Sequence, residues 1–336
     1  MLLAGDVGGT KALLALFDGP RVRFERRYPC RDFPSFRALL DRFLAEARAA
    51  LGQAPRIEHA CFGVAGPVAG DKATLTNLPW DIDTAQLGLA AARLLNDFEA
   101  GAHALEALGA ADLATLQPGA PLAAAPRLLI GAGTGLGVAF LAGHGRALRV
   151  LSGEGGHFAF APADELQDAL WHHLRGTLGR VELEHVVSGP GLARIYAFLR
   201  DTGRHAENPA AAAAIASGDP TEAIARAALE AGDMLALAAL DLFIACYGAA
   251  AGDHALAVLA RGGVYVAGGI APKILSRLRA GGFLAAFNAK GAFAAAARAC
   301  PVHVVTNERL GLLGAAAAAR SLAGDKTEEG PRTMTP

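Results

Sequence analysis

In LLNDFEA, residues 94–100, an apolar run ends on an amide beside a carboxylate, Asn96-Asp97, and the chain then turns helical. Two chemistries suit such a pair. One is an N-cap for a helix beginning near Glu99, worth about 1 kcal/mol; the other is a site in which the carboxylate accepts a proton. A third acid, Asp6, sits inside GDVGGT (5–10), and a second glycine-rich turn follows at GAGTG (131–135). Further on, SGEGGH (152–157) sets a carboxylate, Glu154, and an imidazole, His157, among three glycines.

Neither glycine turn is a familiar nucleotide fingerprint. GxGxxG requires glycine five residues after its first, but Gly131 leads to Leu136 and Gly133 to Val138. A strand-like VAFL also follows where a helix would be needed. A P-loop fails because Thr10 stands five residues after Gly5. What remains is two β-hairpins with tight glycine turns. Such turns suit phosphate, because glycine lets an anion approach backbone N–H groups. Thr10 and Thr134 add hydroxyl donors, and Asp6 is placed to hold Mg²⁺ directly or through water. The plainer alternative is two ordinary hairpin turns.

The elements that must carry these residues alternate β and α. Strands are expected at Leu2–Asp6, Leu13–Phe17, Val22–Tyr28, Ile57–Ala65, Ala73–Asn77 and Arg93–Leu95. Helical spacing runs through 34–51 up to Gly52, and again through Glu99–Leu108. A second strand–turn–strand occupies Leu128–Ala142, residues 164–260 are mostly helical, and strands are expected at Gly263–Val266 and Val302–Val305 before a last helix, Leu310–Leu322. Offset by 126 residues, Gly5, Gly9 and Gly19 fall on Gly131, Gly135 and Gly145, a weak echo suggesting two halves opened by one device.

Composition narrows the field. With 336 residues the chain has room for roughly two domains. A formal charge of −1 and 6% aromatics give no electrostatic footprint or stacking platform for nucleic acid. Cys30, Cys61, Cys246 and Cys300 are isolated, so no structural zinc is expected and reduced thiols fit a cytoplasmic setting. The first residues lack a basic n-region, and no signal peptide is expected. Met234–Gly252 is long and apolar, but mid-run Asp241 would cost about 2.5–3.5 kcal/mol in a bilayer, so a buried core helix and no membrane span are expected. The alanine-rich stretch at 210–216 reads as a surface helix or loop and carries no functional reading.

Taken together, GDVGGT (5–10), LLNDFEA (94–100), GAGTGLGVA (131–139), SGEGGHFAFAP (152–162), EHVVSGPG (184–191), VAGGI (266–270) and GLLGAA (311–316) resemble the bacterial glucokinase family over about 300 residues. The absence of a cysteine cluster near the glycine-histidine motif favours its zinc-free branch. The resemblance implies a two-domain, actin-like ATPase (ribonuclease H-like) α/β fold with ATP and sugar in an interdomain cleft. It places residues 1–108 and 301–322 in a small domain, 109–300 in a large one, and 323–336 in a disordered tail.

It also implies roles. Asp97 is the base that takes the proton of the glucose 6-hydroxyl as it attacks the γ-phosphate, and Asn96 bonds neighbouring hydroxyls. Glu154, His157 and Glu184 bind the sugar, and Asn77 matches another sugar contact more loosely. Gly5, Asp6, Val7, Gly8, Gly9, Thr10, Gly133, Thr134, Gly268 and Gly269 bind ATP, with Mg²⁺ at Asp6. Domain closure on the sugar would exclude water, and relatives suggest a homodimer. Two rivals stay open: a kinase for another hexose, and a non-catalytic sugar-sensing regulator on the same fold. With four residues before Gly5, no DNA-binding helix-turn-helix is expected.

Overall fold

The computed structural model describes residues 1–76 and 78–325, so Asn77 and the expected tail from 326 onward lie outside the described residues. The chain divides into two compact units: Met1–Gly109 with His144–Arg146 and the segment from Asn307, and Ala110–Gly143 with Ala147–Thr306.

In the first unit, β1 (Leu2–Val7), β2 (Lys11–Asp18) and β3 (Arg21–Pro29) form an antiparallel meander. β4 (His59–Val64) adds parallel to β1; a small sheet of β5 (Val68–Ala69), β6 (Lys72–Thr74) and β7 (Asp81–Asp83) follows, and β8 (Ala92–Asn96) closes the main sheet. The main order is therefore β3-β2-β1-β4-β8. β2 reads as an unbroken apolar run because both its faces are covered. Ala12, Leu14 and Leu16 join Phe36, Phe43 and Phe62 on one side, while Leu13, Ala15 and Phe17 join Leu95, Ala100 and Leu312 on the other.

Helix α1 (Phe36–Leu51) covers the first face. Ser35 starts it by accepting the Ala38 N–H, and Gly52, at φ 73°, ends it. Helix α2 (Asp97–His103) and the C-terminal helix Leu310–Asp325 cover the second face. That last helix runs three residues past the expected end at 322. It lies unusually close to its neighbours: a Cβ at Gly314 would collide with the Ala100 carbonyl, and one at Gly311 would stand 2.7 Å from the Asp6 carboxyl carbon.

The second unit repeats the meander. β9 (Leu113–Gln117) comes first in the chain, then β10 (Arg127–Ala132), β11 (Leu136–Ala142) and β12 (Arg149–Gly153) pair antiparallel. β13 (Gly263–Ala267) adds parallel to β10, and β14 (Val302–Val305) parallel to β13. The order is β12-β11-β10-β13-β14-β9. The expectation that residues 301–306 belong with the first unit is therefore corrected. Val302 and Val304 pair with Val264 and Val266 and are buried in the second core. A four-residue apolar strand carries no local mark of which sheet it joins, and β9, its outer neighbour, went unread in the sequence.

Helices α3 (Glu165–Leu178), α4 (Gly189–Asp201), α5 (Pro209–Ser217), α6 (Pro220–Leu229) and α7 (Met234–Val258) pack around this sheet. α7 alone among the described helices is long and apolar enough to cross a membrane, but most of its residues are buried in this core. Asp241 within it receives two bonds of 2.6 Å from Arg277, which answers the charge. Its Tyr247 hydroxyl accepts the Ala132 N–H at 3.1 Å and lies 3.5 Å from the Ala267 carbonyl, tying together the two strand ends that lead into Gly133 and Gly268. The alanine-rich stretch is α5, with Ala211 its buried residue.

Candidate active site

In the first unit the chemistry gathers where β1 and β8 end. β8 delivers Asn96 as the N-cap of α2, its Oδ1 accepting the Phe98 N–H at 2.9 Å while Nδ2 donates to the Gly66 carbonyl at 3.3 Å. The capping alternative thus holds for Asn96, and part of its bonding capacity is spent within the protein. Asp97 Oδ1 shares the Phe98 N–H at 2.9 Å. Burial raises the Asp97 pKa, against the lowering effect of that amide bond. Asp6, one residue before the end of β1, is pushed up to about 6 by burial and by the Asp97 charge, with Arg27 pulling the other way. Two carboxylates therefore oppose each other's ionisation, a balance that a divalent cation would relieve. Among the described residues no group of three or more His, Cys, Asp or Glu could hold a metal by itself.

The loop after β1 is only partly what the glycine count suggested. Gly5 and Val7 are buried in the strand; a Cβ on Gly5 would stand 2.5 Å from Leu14, and Val7 lies in the core. They support the loop from beneath. Gly8 spends its N–H on the Lys11 carbonyl at 3.0 Å, closing the turn, while Gly9 and the exposed Thr10 form its tip.

The second unit presents a cavity of about 870 Å³ lined by Gly133, Thr134, Gly189, Thr221, Gly269 and Ile270, with Ala193, Ala225 and Leu229 among its apolar walls. This volume and mixture suit a small organic ligand with a few polar groups. Gly133 contributes room: a Cβ there would meet nothing within 4 Å. Its N–H closes the turn on Gly135, and its carbonyl accepts the Gly189 N–H, both at 2.8 Å. The start of α4, capped by Ser188, is therefore spent on holding the hairpin. Gly268 has φ 84° and would drive a Cβ into the Ala132 carbonyl, so only glycine serves there. Gly269, by contrast, opens on the cavity.

Glu184 is fixed against the same hairpin. Its Oε2 accepts the Leu136 N–H at 2.9 Å, and a Cβ at Gly135 would collide with that oxygen. In the SGEGGH loop, Glu154 is 90% exposed and stands 3.8 Å from His157 Nε2. Three glycines suggest a sharp exposed loop here, but of the three only Gly153 is exposed. Gly155 and Gly156 are buried in a 3-10 turn, where Cβ atoms would crowd His254 and the Leu136 carbonyl. His157 Nδ1 bonds Glu182 Oε2 at 2.7 Å, which raises the His157 pKa. Sequence reasoning missed Glu182, Gly135, Gly189 and Thr221. The quoted motifs GAGTGLGVA and EHVVSGPG covered Gly135 and Gly189 without giving either a role, and Glu182 and Thr221 carried no local signal.

Each unit thus gathers its own set: Asp6, Asn96 and Asp97 in one; Gly133, Thr134, Gly269, Glu154, His157 and Glu184 in the other. A family model described as Glucokinase matches residues 3–322. A curated glucokinase from Nostoc punctiforme is 41% identical over 96% of this chain and 99% of its own length. A crystal structure of glucokinase from an Antarctic psychrotroph is 30% identical, with TM-score 0.80 over 95% of this chain and 98% of its own. A ROK family glucokinase from Streptomyces griseus, in complex with glucose and AMPPNP, shares the fold at 21% identity and TM-score 0.61, over 95% of this chain and 99% of its own.

Proposed function

The chain belongs to the glucokinase family, and we propose that it transfers the γ-phosphoryl group of Mg·ATP to the 6-hydroxyl of D-glucose with Asp97 as the base. The observation that carries this reading is Asp97 itself, a carboxylate at a strand end whose burial raises its proton affinity. A base is most effective when its pKa approaches the working pH. Asp97 takes the hydroxyl proton as the sugar oxygen bonds to phosphorus and the bond to the bridging oxygen of ADP breaks. The phosphoryl group passes through a loose transition state, so placement and charge neutralisation do most of the work.

Asp6 fits a role toward the Mg²⁺ of Mg·ATP, directly or through water, because a nearby cation removes the cost of ionising it beside Asp97. Magnesium there neutralises phosphate charge. The cavity at Gly133, Thr134 and Gly269 suits the nucleoside and its phosphates. Glu154, His157 and Glu184 pair sugar hydroxyls, and a site that pairs each hydroxyl rejects analogues lacking one. The resemblance also supports a cytoplasmic homodimer, which sedimentation would check.

The deciding experiment is ADP release from Mg·ATP against a panel of hexoses, on the wild type and on Asp97→Asn. Glucose-dependent turnover, lost in the variant while glucose binding persists, is expected. Turnover with a different hexose alone would correct the substrate. Absence of turnover with every sugar in folded protein would leave a sugar-sensing role.

A further inference from the structure

A histidine that meets a sugar hydroxyl must present one ring nitrogen in one direction. His157 has a side chain 52% exposed, so packing alone does not fix its ring. The fixing group is Glu182. Its Oε2 lies 2.7 Å from His157 Nδ1. A carboxylate only accepts hydrogen bonds, so the proton of this contact resides on Nδ1 and Nε2 is turned outward, 3.8 Å from Glu154 Oε2.

Glu182 is itself held on every side. Its Oε1 receives Arg180 Nε at 3.2 Å, and Arg180 Nη2 reaches the His157 carbonyl at 3.0 Å. Its carbonyl accepts the His185 N–H at 3.0 Å at the start of the 3-10 turn Leu183–His185, and its own N–H donates to His185 Nδ1 at 3.1 Å. An isolated β-bridge joins it to Ala159, and the Leu183 N–H bonds the Phe158 carbonyl at 2.8 Å. The segment carrying His157 is thus laced to the segment carrying Glu182 before any ligand arrives.

We propose that Glu182 is the positioning residue of His157, keeping the proton on Nδ1 and aiming Nε2 at a sugar hydroxyl. The proposal rests on the reading of His157 as a sugar ligand. The charged groups around the ring are Glu182, Glu184, Glu154 and Arg180. The Glu182 bond is the largest influence holding the imidazole protonated to higher pH than usual, ahead of the opposing burial and of the Glu184 and Glu154 charges. Charged, Nε2–H donates to the hydroxyl oxygen; neutral, Nε2 accepts the hydroxyl proton. In either state the direction is the one Glu182 sets.

The test measures glucose KM, ATP KM and kcat across neutral pH for Glu182→Ala, Glu182→Gln, His157→Gln and the His157→Gln/Glu182→Ala double variant. Glu182→Ala is expected to raise glucose KM about tenfold, the scale of one hydrogen bond to a charged group, with a smaller fall in kcat and ATP KM unmoved. Glu182→Gln keeps an acceptor without the charge. It should recover most of the affinity while the His157 limb of the kcat/KM profile moves to lower pH. The double variant should be no worse than His157→Gln alone. A rise with His157→Gln but none with Glu182→Ala overturns the positioning role and leaves the sugar reading intact; no rise with His157→Gln removes both. Should Glu182→Ala fail to fold, Glu182→Gln and ¹⁵N NMR of the wild-type ring decide. The Nδ1–H tautomer supports the proposal and the Nε2–H tautomer overturns it.

Discussion

The two hairpins, β1–β2 and β10–β11, open sheets of one design. Each is flanked by a third antiparallel strand on one side and by two parallel strands on the other. At the penultimate position of the entering strand, however, one has Asp6 and the other Gly131. The innermost pair of the first, Val7 with Ala12, encloses residues 8–11, while that of the second, Ala132 with Leu136, encloses 133–135. The first hairpin stands among carboxylates whose pKa values are raised. The second stands over an open cavity and is braced by Glu184 and the start of α4. On the proposed function, one frame serves two tasks: handling charge in the first unit, recognising ligands in the second. Strand order sets where a turn emerges, and a single side chain beside it sets what the turn can do.

If that division is right, the largest kinetic loss comes from the first unit. Asp97→Asn keeps shape but cannot take the hydroxyl proton, so kcat should fall by about 10²–10⁴-fold with glucose KM little changed. Steady-state kinetics decides it. A rise in KM with kcat retained would move Asp97 into recognition and erase the contrast. In the wild type, kcat should decline on acidification through a pKa above the ordinary carboxylate range, because only ionised Asp97 serves as a base.

Asp6→Asn sharpens the comparison by separating stability from activity. Asp6 holds its proton up to about 6 in the folded protein, against an ordinary value of 3.8. The native state therefore binds more protons between those values, and stability falls as pH rises through that window and stays reduced above it. Removing the charge should raise stability at neutral pH by up to about 3 kcal/mol. Turnover with Mg·ATP should nevertheless fall on the order of 10²-fold, since phosphate charge loses its neutralising partner. Thermal unfolding at pH 5 and pH 8, with kinetics alongside, checks both. A stabilised variant of undiminished activity would remove Asp6 from the chemistry.

How much of this was legible depended on whether the cause was local. α1 was readable because its apolar spacing lies within it and Ser35 and Gly52 stand directly at its ends. Both hairpins were readable from their glycine turns, and their shared strand order matches the two halves the weak echo suggested, although β1 and β10 correspond at an offset of 125 residues (127 − 2) rather than 126. β14 was assigned to the wrong unit because its partners, Val264 and Val266, are remote in sequence. The environments of the tight glycines were not legible for a similar reason. Gly155 and Gly156 make room for His254 and Leu136, and Gly311 for Asp6, none of which is a sequence neighbour. Glu182 looked like any surface acid until Nδ1 of His157 was found beside it.

A middle-sized effect should come from the bracing of the second hairpin. Gly135→Ala would push a Cβ into Glu184 Oε2 and break its bond with the Leu136 N–H. Glucose KM is expected to rise roughly tenfold, the scale of a lost bond to a charged group. Stability should drop by about 1–3 kcal/mol from overpacking. Calorimetric glucose binding would show the loss directly. Unchanged affinity would mean that Glu184 braces the turn without meeting the sugar.

The smallest effects test the hairpins against each other. Thr10 and Thr134 are both exposed at turn tips, and each turn has already spent one glycine N–H on its own closure, Gly8 on Lys11 and Gly133 on Gly135. A hydroxyl donor to phosphate is worth about 0.5–1.5 kcal/mol, so each Thr→Val change should raise ATP KM roughly 2- to 10-fold and leave glucose KM alone. The division of tasks adds a finer expectation. Thr134 lines the cavity, so Thr134→Val should weaken binding of ADP and ATP alike. Thr10 follows Asp6, the carboxylate proposed to act toward the metal, so Thr10→Val should weaken ATP more than ADP. Titrating both nucleotides against both variants gives four affinities. If Thr10→Val and Thr134→Val weaken ADP and ATP in the same ratio, the two turns hold the nucleotide equivalently, and the contrast between the units reduces to Asp6 and Asp97.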